Sequence, residues 1–349
     1  MIPFTRPTIS KKDLENVLNC MVRDDVGEGE QTRKFEKKFS RFIGVKNTLM
    51  LNSVSSALYL IFRNIELQPG DEVIISTYAD PYILEIITLF QASPVFVDVS
   101  EKSYLMNLTA VKNLVSAKTR AVIFTHMLGY PLRLKENWAS SKELVIIEDC
   151  THSLGTTVDN QQTGLYGDYA IFSFSFDSII TSGQGGALIA RQKNEFKKLR
   201  DMRSSRGKDD IKGRLDFSIS DLQSAMAVSE LSLLPKFLKR RSEIGRHYQD
   251  CILKSNNIFW SFRDDVAFNF FAFPIQVNSS LKIVMEMFRK YKIEIKQPVV
   301  KPLHSFYGLD DEKFPNTKNL LMKTVCIPIY PVLSKKEIEK IGKLLQTIR

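Results

Sequence analysis

Short apolar runs alternate with helix-like segments through residues 47–190: TLML, EVIIS, PVFVDV, RAVIFTH, LVIIED, YAIFSF and GALIAR, with SSALYLIFRNI and PYILEIITLFQ between the early ones. Runs that are apolar at consecutive positions suit strands covered on both faces, whereas a strand with one wet face would alternate. Strands of that kind, separated by helical stretches, pack as a mostly parallel central sheet flanked by helices. Gly70-Asp71 and Ala92 to Pro94 punctuate two of the helix-to-strand returns.

After Arg191 the pattern changes. Residues 194–204 and 220–249 read as long amphipathic helices. They are followed by a strand (AFNFFAFPIQV), a helix (SLKIVMEMFRKY), a second strand (IEIKQPVV), an irregular stretch and a final helix at 335–347. The expectation is a large α/β domain over 1–236 and a small C-terminal α+β domain over 237–349, bridged by the long helix. With 349 residues, 44% of them hydrophobic, the chain can bury one large core and one smaller one.

Composition narrows the setting. The first residues, MIPFTRPTISKKDLENV, lack the apolar run of a signal peptide, and no later stretch is long and apolar enough to cross a bilayer. A cytoplasmic protein without membrane contact is expected. Cys20, Cys150, Cys251 and Cys326 are far apart and show no metal-binding or redox spacing, so they read as buried free thiols. The net charge of +10 comes mostly from lysines and arginines scattered along helices. A solvated helix face accounts for them; attraction to an anionic nucleotide is the functional alternative, and no base-reading motif points to nucleic acid.

Four segments place polar groups at the ends of predicted strands, where open α/β sheets bind ligands. Asn52-Ser53-Val54-Ser55-Ser56-Ala57 joins a strand to a helix and suits an anion, with Ser55 and Ser56 as donors, although a serine cap without a ligand reads equally well. In Ser76-Thr77-Tyr78-Ala79-Asp80-Pro81, Tyr78 could stack on a flat ring or pack in the core. In Ile146-Ile147-Glu148-Asp149-Cys150-Thr151-His152, a carboxylate ending so apolar a strand calls for a positive partner at Asp149, while His152 reads equally as a core histidine. The fourth, from Phe172 to Gly186, carries Ser173 and Ser178 and ends in glycines that permit tight turns.

In this order and spacing the four segments resemble the DegT/StrS family of nucleotide-sugar aminotransferases, pyridoxal-phosphate (PLP) enzymes of fold type I. The likeness spans nearly the whole chain. It also takes in PGDEVI at 69–74, PVFVDV at 94–99, HMLGYP at 126–131, DLQSA at 221–225, PLH at 302–304 and CIPIYP at 326–331. The resemblance implies a fold type I aminotransferase-like architecture and a homodimer with shared sites. It implies that Ser55, Ser56 and Ser173 face the cofactor phosphate, that Tyr78 stacks on the pyridine ring, and that Asp149 pairs with the ring nitrogen. His152 stands where the family usually has a glutamine.

The departures carry as much weight. The family pattern puts its Schiff-base lysine at Ser178, and no lysine occurs between Thr151 and Gln192. A hydroxyl forms no imine and is a poor proton shuttle. Val54 and Gln184 replace a glycine and a glutamate, and Asp216 and Ser218 replace an asparagine and an arginine. Any PLP or pyridoxamine phosphate (PMP) would therefore be held non-covalently. Two readings follow: a non-catalytic homologue that binds a nucleotide-linked sugar or regulates a relative, or an enzyme of aminotransferase or dehydratase type that uses loose cofactor and His152 on a nucleotide-linked keto sugar.

Overall fold

The computed structural model describes residues 1–134, 144–205, 209–210, 214–255, 257–260 and 265–348. The chain opens with helices α1 (Lys11–Val22) and α2 (Glu30–Ile43). It then alternates β1 (Thr48–Leu51), α3 (Val54–Asn64), β2 (Glu72–Ser76), α4 (Pro81–Leu89), β3 (Ser93–Val97), α5 (Leu108–Leu114), β4 (Thr119–Thr125) and β5 (Val145–Asp149). Two short strands, β6 (Thr157–Val158) and β7 (Gln161–Gln162), precede β8 (Tyr169–Ser173), β9 (Gly186–Ala190) and α6 (Lys193–Met202). The long helix α7 (Asp221–Ile252) leads to β10 (Val266–Ala267), β11 (Phe273–Gln276), α8 (Leu281–Lys290), α9 (Pro315–Lys323), β12 (Thr324–Ile327) and α10 (Lys335–Thr347).

Seven strands form the main sheet in the order β1-β9-β8-β5-β4-β2-β3. Only β9 runs against its neighbours, β1 and β8; the remaining pairs are parallel. Strand interiors such as Val73–Ile75, Ala121–Phe124 and Ala187–Leu188 are fully buried, which is why their sequences do not alternate. The carboxyl ends of β2, β4, β5 and β8 and the start of α3 therefore meet on one edge of the sheet. The connection from β8 to the antiparallel β9 folds back along that edge, pinned by Phe174 N–H to Gly185 O at 2.9 Å and Ser182 N–H to Phe174 O at 3.0 Å. Gly186 has no room for a side chain: a Cβ there would stand 2.5 Å from Ser53 O and 2.7 Å from Val54 N. That contact sets β9 directly against the amino end of α3.

The C-terminal part has its own apolar cluster. Ile244, Tyr248 and Ile252 of α7 pack with Phe273 and Ile275 of β11, Val325 and Ile327 of β12, Phe288 of α8 and Ile341 and Leu345 of α10. Earlier residues of α7, including Ala227, Val228, Leu231 and Leu234, belong instead to a cluster beneath the large sheet. The expected boundary at 236/237 falls inside this unbroken helix, one residue after Pro235. Strand pairing in this part differs from expectation. β11 pairs antiparallel with β12, whereas IEIKQPVV makes only isolated bridges, Ile2 to Ile293 and Lys296 to Cys326. Pro298 offers no N–H to a ladder, and TVCI at β12, read from sequence as irregular, supplies the partner. The four cysteines are buried and free.

Candidate functional site

At the strand-end edge lies a cavity of about 300 Å³ lined by Ser53, Val54, Asp80, Tyr82, Thr151, His152, Ser173, Ser175, Asp177, Ser178, Gln184, Gly185 and Phe271. Three of the four segments singled out from sequence converge here directly, and the second contributes through Asp80. The hydroxyls of the floor form a chain: Ser173 to Ser175 at 3.0 Å, Ser175 to Ser178 at 3.0 Å and Ser178 to Ser173 at 3.3 Å. Ser175 also donates to Asp177 at 2.6 Å. A second opening of about 200 Å³ shares Asp80, His152, Asp177 and Phe271 with the first and extends to Arg241 and Lys296. Cationic side chains thus line the outer cleft. Among the described residues of the inner cavity there is no lysine or arginine, only Asp80, Asp177 and His152 as chargeable groups beside the Tyr82 phenol.

His152 is held on three sides. Its ring stacks on Phe271 at 4.1 Å, its Nδ1 accepts the Leu128 N–H at 3.2 Å, and its Nε2 lies 3.2 Å from Asp80 Oδ2. Burial is the largest influence on the His152 pKa and lowers it, but the charge and hydrogen bond of Asp80, together with the charges of Asp149 and Asp177, outweigh it and leave the pKa raised. A second proton would have to sit on Nδ1 and face the Leu128 N–H, so the geometry favours the neutral ring with its proton on Nε2, donated to Asp80. Burial raises the Asp80 carboxyl, and His152 outweighs that and holds it below its ordinary range.

Asp149 is fully buried behind the cavity wall. Oδ1 accepts the Thr151 N–H at 3.1 Å and the Thr151 hydroxyl at 2.6 Å, and Oδ2 accepts the Thr125 hydroxyl at 3.3 Å. Burial pushes its pKa up; the Thr151 hydroxyl pulls it down and the Asp80 charge adds to the rise. Its neighbour Glu148 points to the opposite face. There it accepts N–H groups from Gly164, Tyr166 and Gly167 and the Nε2 proton of His126 at 3.0 Å, which accounts for its burial. With these partners satisfied, the cluster of His126, Glu148 and Cys150 needs no metal ion.

Three further expected residues lie outside the lining. Tyr78, read as a ring-stacking residue, is fully buried away from the cavity, its ring 6.5 Å from Tyr104 in a cluster with Val99, Met127 and Cys326. The chain turns after β2, with Tyr78 N–H donating to Ser76 Oγ at 3.1 Å. That turn sends the ring toward the C-terminal part and brings Asp80 and Tyr82, at the start of α4, to the cavity. Ser55 and Ser56 are likewise absent from the lining, which Ser53 and Val54 supply. The Ser56 hydroxyl is occupied by Asn52 Oδ1 at 2.6 Å and Ser53 Oγ at 2.8 Å, and Ser53 caps α3. Asp216 accepts the Ser218 N–H at 3.0 Å and is not part of the lining. Sequence reading missed Asp80, Tyr82, Ser175, Asp177 and Phe271. The signal for the first two was Pro81, which marks a helix start and turns its neighbours toward the strand-end edge.

Comparison with known proteins agrees with this architecture. A family model described as the DegT/DnrJ/EryC1/StrS aminotransferase family matches residues 7–346. The spore coat polysaccharide biosynthesis protein SpsC of Bacillus subtilis is 24% identical, over 99% of this chain and 97% of its own. The GDP-perosamine synthase of Escherichia coli O157:H7 is 24% identical over 97% of this chain and 95% of its own. Among solved structures, Spr1654 of Streptococcus pneumoniae in its PLP form superposes with a TM-score of 0.92 at 22% identity, covering 99% of this chain and 98% of that one.

Proposed function

Because the chain belongs to the DegT/DnrJ/EryC1/StrS aminotransferase family, we propose that it serves amino-sugar or surface-polysaccharide biosynthesis as a member that does not carry out lysine-dependent transamination. In this role it binds a nucleotide-linked sugar or regulates a catalytic relative, as a homodimer in the cytoplasm. The observation that carries the proposal is the floor of the cavity. We align Ser178 with the family's Schiff-base position, and no lysine lines the inner cavity among the described residues. The outer cleft, with Lys296, Arg241 and the rings of Phe4, Phe176 and Phe271, suits an anionic nucleotide.

The residues present do not fit PLP. Its aldehyde has no amine to condense with, and Asp149, the partner for a ring nitrogen, lies behind the wall while Tyr82 faces the cavity. Asp80 and Asp177 bring negative charge to a space that would receive a phosphate ester, with no lysine or arginine among the described lining residues to offset it. The hydroxyls of Ser53 and Ser173 remain as donors. The test is intact-mass analysis of the wild-type chain after incubation with PLP and borohydride reduction. No adduct is expected; a reduced adduct on any lysine would end the proposal.

A second reading is supported by the retention of Asp149, Tyr78 and Ser173 in sequence, with His152 and Ser173 lining the cavity: an enzyme that holds PLP or PMP without a bond and acts on a nucleotide-linked keto sugar. Against it stands the engagement of both His152 nitrogens, which leaves that ring no free lone pair for proton transfer. Turnover of such a sugar by wild-type protein supplied with PMP would select this reading.

A further inference from the structure

We propose that the Tyr82 side chain occupies the place in front of Asp149 that a planar cofactor ring would need, so that the chain closes its own cofactor position from within. The inference deepens the functional reading above and rests on it only for the missing covalent tether.

Tyr82 stands in the first turn of α4, directly after Pro81, whose fixed backbone at the helix start sets the direction in which the next side chain leaves. The ring packs against the apolar core on the face of the sheet opposite the α7 cluster and forms part of the cavity wall. Its hydroxyl oxygen is buried without a direct hydrogen bond, facing the carboxyl of Asp149 and the hydroxyl of Thr151. Asp149 has its Oδ1 filled by Thr151 and its Oδ2 contacted by Thr125, and the phenol lies beside its carboxyl. Thr151 and Thr125 already satisfy the buried carboxyl, and the phenol beside it covers the side from which a protonated ring nitrogen would approach. Burial, together with the nearby Asp149 and Asp80 charges, keeps the phenol protonated and able to donate. An aromatic ring here and a second aromatic ring in front of Asp149 exclude each other sterically.

The experiment compares the full-length wild type with Tyr82→Ala, Tyr82→Phe, Ser178→Lys and the double variant Ser178→Lys/Tyr82→Ala. Equilibrium dialysis against PLP and against PMP measures binding, and peptide mapping after borohydride locates any adduct. Circular dichroism checks the fold, and Tyr82→Ser replaces Tyr82→Ala throughout if the alanine chain does not fold. Tyr82→Ala is expected to bind PLP about tenfold or more tightly than wild type. Tyr82→Phe, which keeps the ring, stays closed like the wild type. Ser178→Lys alone gives no adduct, and the double variant gives one at position 178. Wild-type binding as tight as that of Tyr82→Ala, or an adduct on Ser178→Lys alone, would overturn the proposal. So would a folded double variant that takes up no PLP. A wild-type adduct at some other lysine would instead overturn the functional reading, so the two fail by different results.

Discussion

Glu230 on α7 accepts the Thr181 N–H at 3.2 Å through one oxygen, while its other oxygen is buried without a hydrogen bond. Burial pushes its pKa up to about 8; the Thr181 contact lowers it and the Asp13 charge adds to the rise. Between the ordinary glutamate range and that value the folded chain holds a proton that the unfolded chain has released. Stability is therefore fully present below the unfolded pKa and is lost as pH rises through the folded one. Urea unfolding at pH 5 and at pH 8.5 should show wild-type stability falling by about 3–5 kcal/mol from this group. Glu230→Gln should lose little over the same interval, and an equal fall in that variant would remove Glu230 as the source. This acid was not legible in sequence, because position 230 lies in an amphipathic helix whose covering partners come from elsewhere in the chain. The same limit applied at the site. Ser173, Ser178 and His152 could be placed at strand ends from spacing alone, whereas the exchange of Tyr78 for Asp80 and Tyr82 depended on a turn after β2 and on apolar partners more than 200 residues away, such as Cys326.

At the scale of elements, α2 begins at a glycine cap that has no side chain to meet its first N–H groups. Asp221, at the start of α7, meets them instead. Its carboxylate accepts the N–H groups of Gly29, Gln31 and Thr32 at 2.8–2.9 Å and the Thr32 hydroxyl at 2.8 Å. Asp221→Ala leaves these donors buried without partners and should cost about 2–4 kcal/mol by chemical denaturation. A loss no larger than that of an exposed alanine substitution would show that water replaces the carboxylate. Helices were legible in part, since α1 and α2 were not read and α9 fell within the stretch expected to be irregular. Ser334 and Glu337 form a capping box that starts α10 where the periodic apolar pattern starts. The buried strands of the large sheet were legible as apolar runs, but their order was not, since hydrogen-bonded neighbours such as β1 and β9 are far apart in sequence. Pairing of β11 with β12 was hidden for the same reason, and IEIKQPVV carried the β-branched composition of a strand without a free ladder to join.

At the scale of the whole molecule, α7 is shared by two cores, and Arg241 fastens its middle to the C-terminal part by donating to Phe270 O at 2.9 Å and Ile329 O at 2.8 Å. On the outer face of α1, Leu14, Leu18, Met21 and Val22 are exposed at helical spacing, with Val26 just beyond them. An apolar stripe of this kind supports the proposed homodimer. Light scattering on the intact protein should read twice the 40.0 kDa of the chain, and Leu18→Glu with Met21→Glu should return it to a single chain. A wild-type particle of one chain mass would remove the dimer from the proposal. The amino-terminal residues also join the C-terminal part: Ile2 donates its N–H to Lys292 O at 2.8 Å and accepts from Glu294 N–H at 2.9 Å. On the ribosome they must wait undocked through almost all of translation, and closing that longest of loops belongs to a late stage of folding. An affinity tag placed ahead of Met1 would emerge beside the Lys292–Glu294 segment, far along the chain from the sheet that follows it.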